Sequence, residues 1–131
     1  MIGLDTNVLL RYIRQDDEAQ SALSTQLIES LTDSNPGFVS LICLSELYWV
    51  MDHKHKYSKQ EILDMIQILL SSTSLVFEDE SVVSEALLSY AAGSADFDDC
   101  LVAERSKASG CKFVYTFDKA AAKSGIMKLL A

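Results

Sequence analysis

Short apolar runs alternate with amphipathic segments along almost the whole of this 131-residue chain, and that alternation limits the fold more than any other feature. "MIGL" (1–4), "FVSLI" (38–42), "SLVF" (74–77) and "KFVYT" (112–116) read as strands, with "IMKLL" (126–130) a short fifth. The stretches between them repeat apolar residues at three- and four-residue steps, the period of a helix face. In 17–33 the repeating set is Ala19, Ala22, Leu23, Leu27, Ile28 and Leu31; after the second strand it is Leu44, Leu47, Tyr48 and Met51. Ser58 and Glu61 form a capping-box pattern ahead of Ile62, Met65, Ile66, Leu69 and Leu70. Ser81 is the expected cap of a helix through Ala92, and a helix over 96–109 ends at Gly110. Strands alternating with helices imply an α/β fold in which a parallel sheet is covered by helices on both faces.

A chain of this length holds one real core, so a single domain over residues 1–131 is expected. "MIGLDTNVLL" lacks the basic start of a signal peptide, and "FVSLICLSELYWVM" is interrupted by Glu46 and too short to span a bilayer. Cys43, Cys100 and Cys111 are odd in number and match no metal-binding spacing, which reads as reduced, buried thiols in a cytoplasmic protein with no membrane partner. Net charge is −8, which argues against a general nucleic-acid coat but not against an enzyme whose acids hold a divalent cation.

The acids fall in a pattern. Asp5 directly follows the first strand, Glu46 lies a few residues past the second in the expected first turn of its helix, and Asp118 comes two residues after the fourth. Sites in open parallel sheets form beyond the carboxyl ends of strands. Each acid alone has a simpler explanation, since Asp5 and Asp118 suit helix caps and Glu46 would complement a helix dipole. Three strand ends delivering acids to one rim is harder to attribute to capping. "ADFDDCLVA" (95–103) adds Asp96, Asp98 and Asp99 at a helix start. That helix and the fourth strand run in opposite directions, which would put the triplet at the far edge unless the preceding loop crosses back. At about 100° per residue, Asp98 shares its side with Arg105 and Ser109, whereas Asp99 lies among Val102, Ala103 and Ser106 with no basic neighbour. Asp98 is therefore expected in solvent, Asp96 as the N-cap, and Asp99 as the carboxylate that needs a partner from elsewhere.

"MIGLDTNVLLRYI", "FVSLICLSELYWV", "ADFDDCLVAERSKASG" and "VYTFDKAAAKSGIMKLL" resemble, in order and spacing, the motifs of PIN-domain proteins, closest to the VapC-type ribonuclease toxins of bacterial toxin–antitoxin pairs. The similarity runs over essentially the whole chain. It implies a three-layer α/β/α sandwich and an endoribonuclease dependent on Mg²⁺ or Mn²⁺. The family's acidic quartet maps onto Asp5, Glu46, Asp99 and Asp118, with Asp96 matching a further acid and Asn7 and Thr116 matching the polar positions beside the first and last acids. On this reading Asp5 and Asp99 are the principal metal ligands. Asp96 and Asp118 hold waters or a second ion, and Glu46 ligates or positions the attacking water. The resemblance also implies an RNA substrate, a homodimer and a small VapB-type antitoxin.

Chemistry agrees, because Mg²⁺ prefers oxygen ligands and keeps several waters. No histidine is needed, and His53 and His55 read as surface residues of a helix. Arg11, Arg14, Lys119 and Lys123 flank the acids, either as a solvated face or as a rim for RNA. Two other classes stay open: a phosphoacceptor receiver-like signalling domain, for which "FEDE" after strand three lacks the expected setting, and a non-catalytic interaction module.

Overall fold

The computed structural model describes residues 1–130, so Ala131, the last residue of the expected domain, lies outside the described residues. The chain divides into two units, one spanning Met1–Glu78 and one that begins at Asp79. The first contains β1 (Ile2–Gly3), α1 (Thr6–Arg14), α2 (Glu18–Ser30), β2 (Gly37–Val39), α3 (Leu41–Trp49), a π-helical turn (Val50–Lys54), α4 (Lys59–Leu70) and β3 (Leu75–Phe77). The strands form a parallel sheet in the order β1-β2-β3, with Ile2 opposite Gly37 and Gly37 opposite Leu75. Parallel neighbours cannot be joined by a hairpin, which is why a helical crossover fills each interval between them.

The second unit contains α5 (Glu80–Ala92), α6 (Phe97–Ala108), β4 (Tyr115–Thr116), α7 (Lys119–Lys123) and β5 (Lys128–Leu129). Here β4 and β5 pair in parallel, Tyr115 opposite Lys128. All five expected strands are present, and they pair with one another in parallel. Their hydrogen bonds form a three-stranded and a two-stranded sheet.

Leu9, Val39, Leu44, Leu47, Met51, Ile62 and Ile66 are fully buried in the first unit, and Val83, Ala86, Phe97, Cys100 and Ala121 in the second. The expected apolar faces of α3 and α4 are therefore correct. That of α2 is correct only towards its end, where Leu31 is buried and Leu27 and Ile28 are half-buried; Ala19, Ala22 and Leu23 are exposed, Leu23 at 67%, and Ser21 and Ser24 are buried instead. α2 packs on α1, and the Ser21 hydroxyl donates to the Arg11 carbonyl at 2.9 Å. A close helix pair selects small side chains, and this serine adds a further bond to a carbonyl that already accepts from the Gln15 N–H at 3.1 Å. Gly37 lies in similar crowding, among the ends of three leucine side chains. A Cβ there would lie 2.7 Å from Leu4, 2.9 Å from Leu31 and 3.1 Å from Leu75.

Other expectations need adjustment. The cap of α5 is Asp79 rather than Ser81; its backbone is left-handed (φ 50°) and its carboxylate pairs with Arg105 at 3.1 Å. Cys111 is exposed, while Cys43 and Cys100 are buried. No helix among the described residues is long and apolar enough to cross a membrane.

The capping box of α4 is complete: Ser58 accepts from the Glu61 N–H at 3.1 Å, and Glu61 accepts from the Ser58 N–H at 2.9 Å. Ser58→Ala should therefore cost about 1 kcal/mol of stability, read as a lower urea midpoint at unchanged slope.

Candidate functional site

In the first unit, Leu4 leaves β1 buried and Asp5 turns the chain into α1. Its backbone is extended (φ −85°, ψ 158°), its carbonyl accepts the first helical bonds, and its carboxylate accepts from the Thr6 N–H at 2.8 Å. Thr6 is buried and donates its hydroxyl to the Cys43 sulfur at 3.6 Å, tying the start of α1 to α3. Burial pushes the Cys43 thiol up, and the charges of Asp5 and Glu46 push it further, opposed by the Thr6 hydrogen bond. Asp5 and Glu46 thus act on one neutral thiol from two helices. Sequence reasoning passed over this link, although Cys43 and Glu46 stand three residues apart and so share a helix face.

Glu46 itself is exposed. The helix is capped at Ser40, whose hydroxyl accepts from the Cys43 N–H at 3.1 Å, so Glu46 lies beyond the first turn and the dipole explanation for it fails. Asn7 is exposed on α1 and faces a groove against Gln20 and Ser24 of α2.

In the second unit Asp96 is the N-cap of α6, accepting from the Asp99 N–H at 2.8 Å. Phe97, fully buried and edge-on to Tyr90 with ring centroids 5.8 Å apart, anchors this first turn. Asp118 caps α7, accepting from the Ala121 N–H at 3.0 Å, and its own N–H donates to the Thr116 hydroxyl at 2.9 Å. Asp99 is half-buried, and its carboxyl is pushed up to about 6 by burial and then by the charges of Asp96, Asp118 and Asp98. The start of α6 therefore lies at the carboxyl end of β4. An antiparallel helix and strand place the start of one beside the end of the other, so no crossing loop is needed and the far-edge expectation was an error of direction.

The expectation that Asp98 stands in solvent is not met. Arg105 goes to Asp79 and to the Ser109 hydroxyl at 2.6 Å, and Asp98 is half-buried rather than solvated. Arg11 and Arg14 both bind Asp16, at 3.0 and 2.7 Å, and Arg14 also donates to the Tyr57 hydroxyl at 2.9 Å, which holds the Asp16 carboxyl below its usual range. These guanidiniums are spent inside the fold. His53 stacks on Trp49 (5.0 Å between ring centroids), whereas His55 is half-buried and pushed down by burial and by Arg14.

Among the described residues no Lys or Arg forms an ion pair with Asp5, Glu46, Asp96, Asp99 or Asp118. Nor do three His, Cys, Asp or Glu side chains there make a ready coordination sphere. A hydrated Mg²⁺ asks for only one or two carboxylates, and an all-oxygen donor set without a cation of its own fits such an ion. Within the second unit Asp96, Asp99 and Asp118 form one electrostatic group; within the first, Asp5 and Glu46 do.

Because the folded-state value of Asp99 is raised, its protonated form is the more stable one. That contribution is full below the free-carboxyl value and is lost as pH rises through about 6. Asp99→Asn should accordingly raise the metal-free melting temperature at neutral pH, and the gain should fade as pH falls to about 4. Thermal melts in chelator across that range provide the measurement.

Comparison with known proteins adds two findings. The sequence matches the family model of the PIN domain over residues 2–125. It is also similar to a VapC ribonuclease of Aquifex aeolicus (strain VF5), 27% identical over 123 residues, covering 93% of this chain and 90% of that protein.

Proposed function

From the premise that this chain belongs to the PIN-domain family, we propose that it is a divalent-metal-dependent endoribonuclease, the toxin of a VapBC-type toxin–antitoxin pair. Family membership sets the receiver-like reading aside. The observation that carries the proposal is Asp99, a half-buried carboxyl raised to about 6 among Asp96, Asp98 and Asp118. Such crowding is unfavourable in the protein alone and is relieved by a cation.

Asp5 and Asp99 are the residues we assign to hold Mg²⁺ or Mn²⁺, with Asp96 and Asp118 steadying its waters. Bound there, the ion would supply a Lewis acid that offsets phosphate charge and acidifies the attacking water. The chain's own groups supply the orientation. The capping bonds of Asp96 and Asp118 each commit one oxygen to a helix N-terminus, which keeps the carboxylates from swinging. Thr116 holds the backbone of Asp118, and the Thr6–Cys43 contact holds the base of Asp5. Glu46, exposed and without an ion pair among the described residues, is assigned to accept a proton from the attacking water. Asn7 is assigned to the rim beside Asp5. The same reading includes a single domain, a homodimer, a cytoplasmic location, an RNA substrate and a small VapB-type antitoxin as partner.

RNA cleavage by rigorously purified protein should require Mn²⁺ or Mg²⁺ and stop in excess EDTA. Asp99→Asn and Asp5→Asn should lose more than about a hundredfold in rate, and Asp96→Asn about tenfold, since it keeps a capping side chain while losing an outer partner. Asp98→Asn should remain close to wild type. Undiminished cleavage in chelator would sink the metal mechanism. A protein that neither cleaves RNA nor shows Asp5-dependent Mn²⁺ binding by calorimetry would be a non-catalytic interaction module.

A further inference from the structure

Charge along this chain is sharply segregated. Residues 1–104 hold five basic and eighteen acidic side chains, whereas residues 105–130 hold six basic side chains and one acid, Asp118. All three arginines are ion-paired with aspartates. Lysines thus carry the remaining positive charge, and three of them surround one cavity of about 370 Å³ at the end of the second unit opposite Asp96 and Asp118. Its lining includes Lys107, at the end of α6, Lys112, Phe113 and Lys128, with Glu104 as its acid. Among the described residues none of the three lysines forms an ion pair.

Aromatic residues lead away from this cavity along β4. Phe113, Tyr115 and Phe117 are 47%, 53% and 77% exposed, and the residues between them, Val114 and Thr116, are half-buried. That is the alternation of a strand with one face in solvent. Phe113 and Tyr115 meet edge to face at 5.0 Å, and the Lys128 ammonium lies 4.7 Å from the centre of the Phe113 ring. Exposed rings beside uncompensated ammonium groups are how proteins bind single-stranded nucleic acid, with bases stacked on rings and phosphates on the cations. Alternate residues of a strand stand about 6.6 Å apart, beyond the about 3.4 Å rise of a stacked strand, so the ladder suits bases that have been drawn apart. Its last ring, Phe117, immediately precedes Asp118.

We propose that Lys107, Lys112 and Lys128, with Phe113 and Tyr115, form a track for an unpaired RNA strand that runs along β4 toward Asp118. The proposal rests on the ribonuclease reading and gives its substrate a conformation, single-stranded and extended beyond the bond that is cut. A charged aromatic surface also suits a protein partner, but three unpaired cations in so acidic a chain favour a polyanion.

The test uses the full-length protein in EDTA and a fluorescein-labelled single-stranded oligoribonucleotide of about twelve nucleotides, followed by anisotropy across a salt series. Replacing Lys107, Lys112 and Lys128 together by Gln should make the slope of log affinity against log salt shallower by about 2. Phe113→Leu with Tyr115→Leu should weaken binding about tenfold and leave that slope unchanged, and the duplex of the same sequence should bind more weakly than the single strand. In Mn²⁺ both variants should raise KM for the long single strand with little change in kcat, and leave cleavage of a dinucleotide unaffected. Thermal melts establish that the variants fold. Unaltered slope and KM in folded variants overturn the track, as does a change confined to self-association by sedimentation. If cleavage is absent from every preparation while the binding results hold, the ribonuclease reading fails and the track stands. If cleavage depends on Asp99 but not on these residues, the reverse is true.

Discussion

A helix begins with backbone N–H groups that its own carbonyls cannot reach, and in this chain the acids of greatest interest occupy that vacancy. Asp5, Asp96 and Asp118 each cap the helix that follows them, and each binds a backbone N–H within 3.0 Å. One group therefore serves folding and chemistry together. The cap fixes where the carboxylate sits. Asp99 differs because it caps nothing. It is placed by its neighbours' caps, lies half-buried among their charges, and holds its proton more tightly than an ordinary carboxyl. Stability of the metal-free fold and readiness for a cation are opposed at this one side chain.

What could be read from the sequence follows from how local each signal is. The strand–helix alternation and the capping box depend on neighbours within a few residues, and both are present as read. The N-cap role of Asp96 and the isolation of Asp99 were also legible, because helix geometry fixes which residues share a side. The burial of Ser21 and Ser24 on α2 was not. Its serines are chosen by the distance to α1 and by a carbonyl of Arg11, which no periodicity in 17–33 encodes. That Asp98 and Arg105 share a side of one helix was legible, but the left-handed turn at Asp79 that presents a carboxylate to Arg105 was not. The same holds for Glu46: the helix starts at Leu41, and the placement of its cap moved the acid out of the first turn.

The first turn of α6 shows how packing and chemistry share residues. Phe97 is completely buried between two half-exposed or exposed acids, Asp96 and Asp98, so an apolar anchor holds a charged edge in position. Thr6 performs the same service for Asp5, with a hydroxyl-to-sulfur contact in place of a ring.

The pairing of every arginine with an aspartate has a consequence for recognition. A guanidinium reads phosphate and guanine edges through a rigid fork, whereas an ammonium is a point charge on a flexible stem. On the proposed track the protein would meet a polyanion through lysines without an ion partner, its guanidiniums being paired with aspartates. It can register how much charge is present and how it is spaced, but side chains of this kind impose little preference for one base over another. On that proposal, discrimination between targets would fall to the shape a strand must take to lie along β4, and the flexibility of a target would be as informative as its letters.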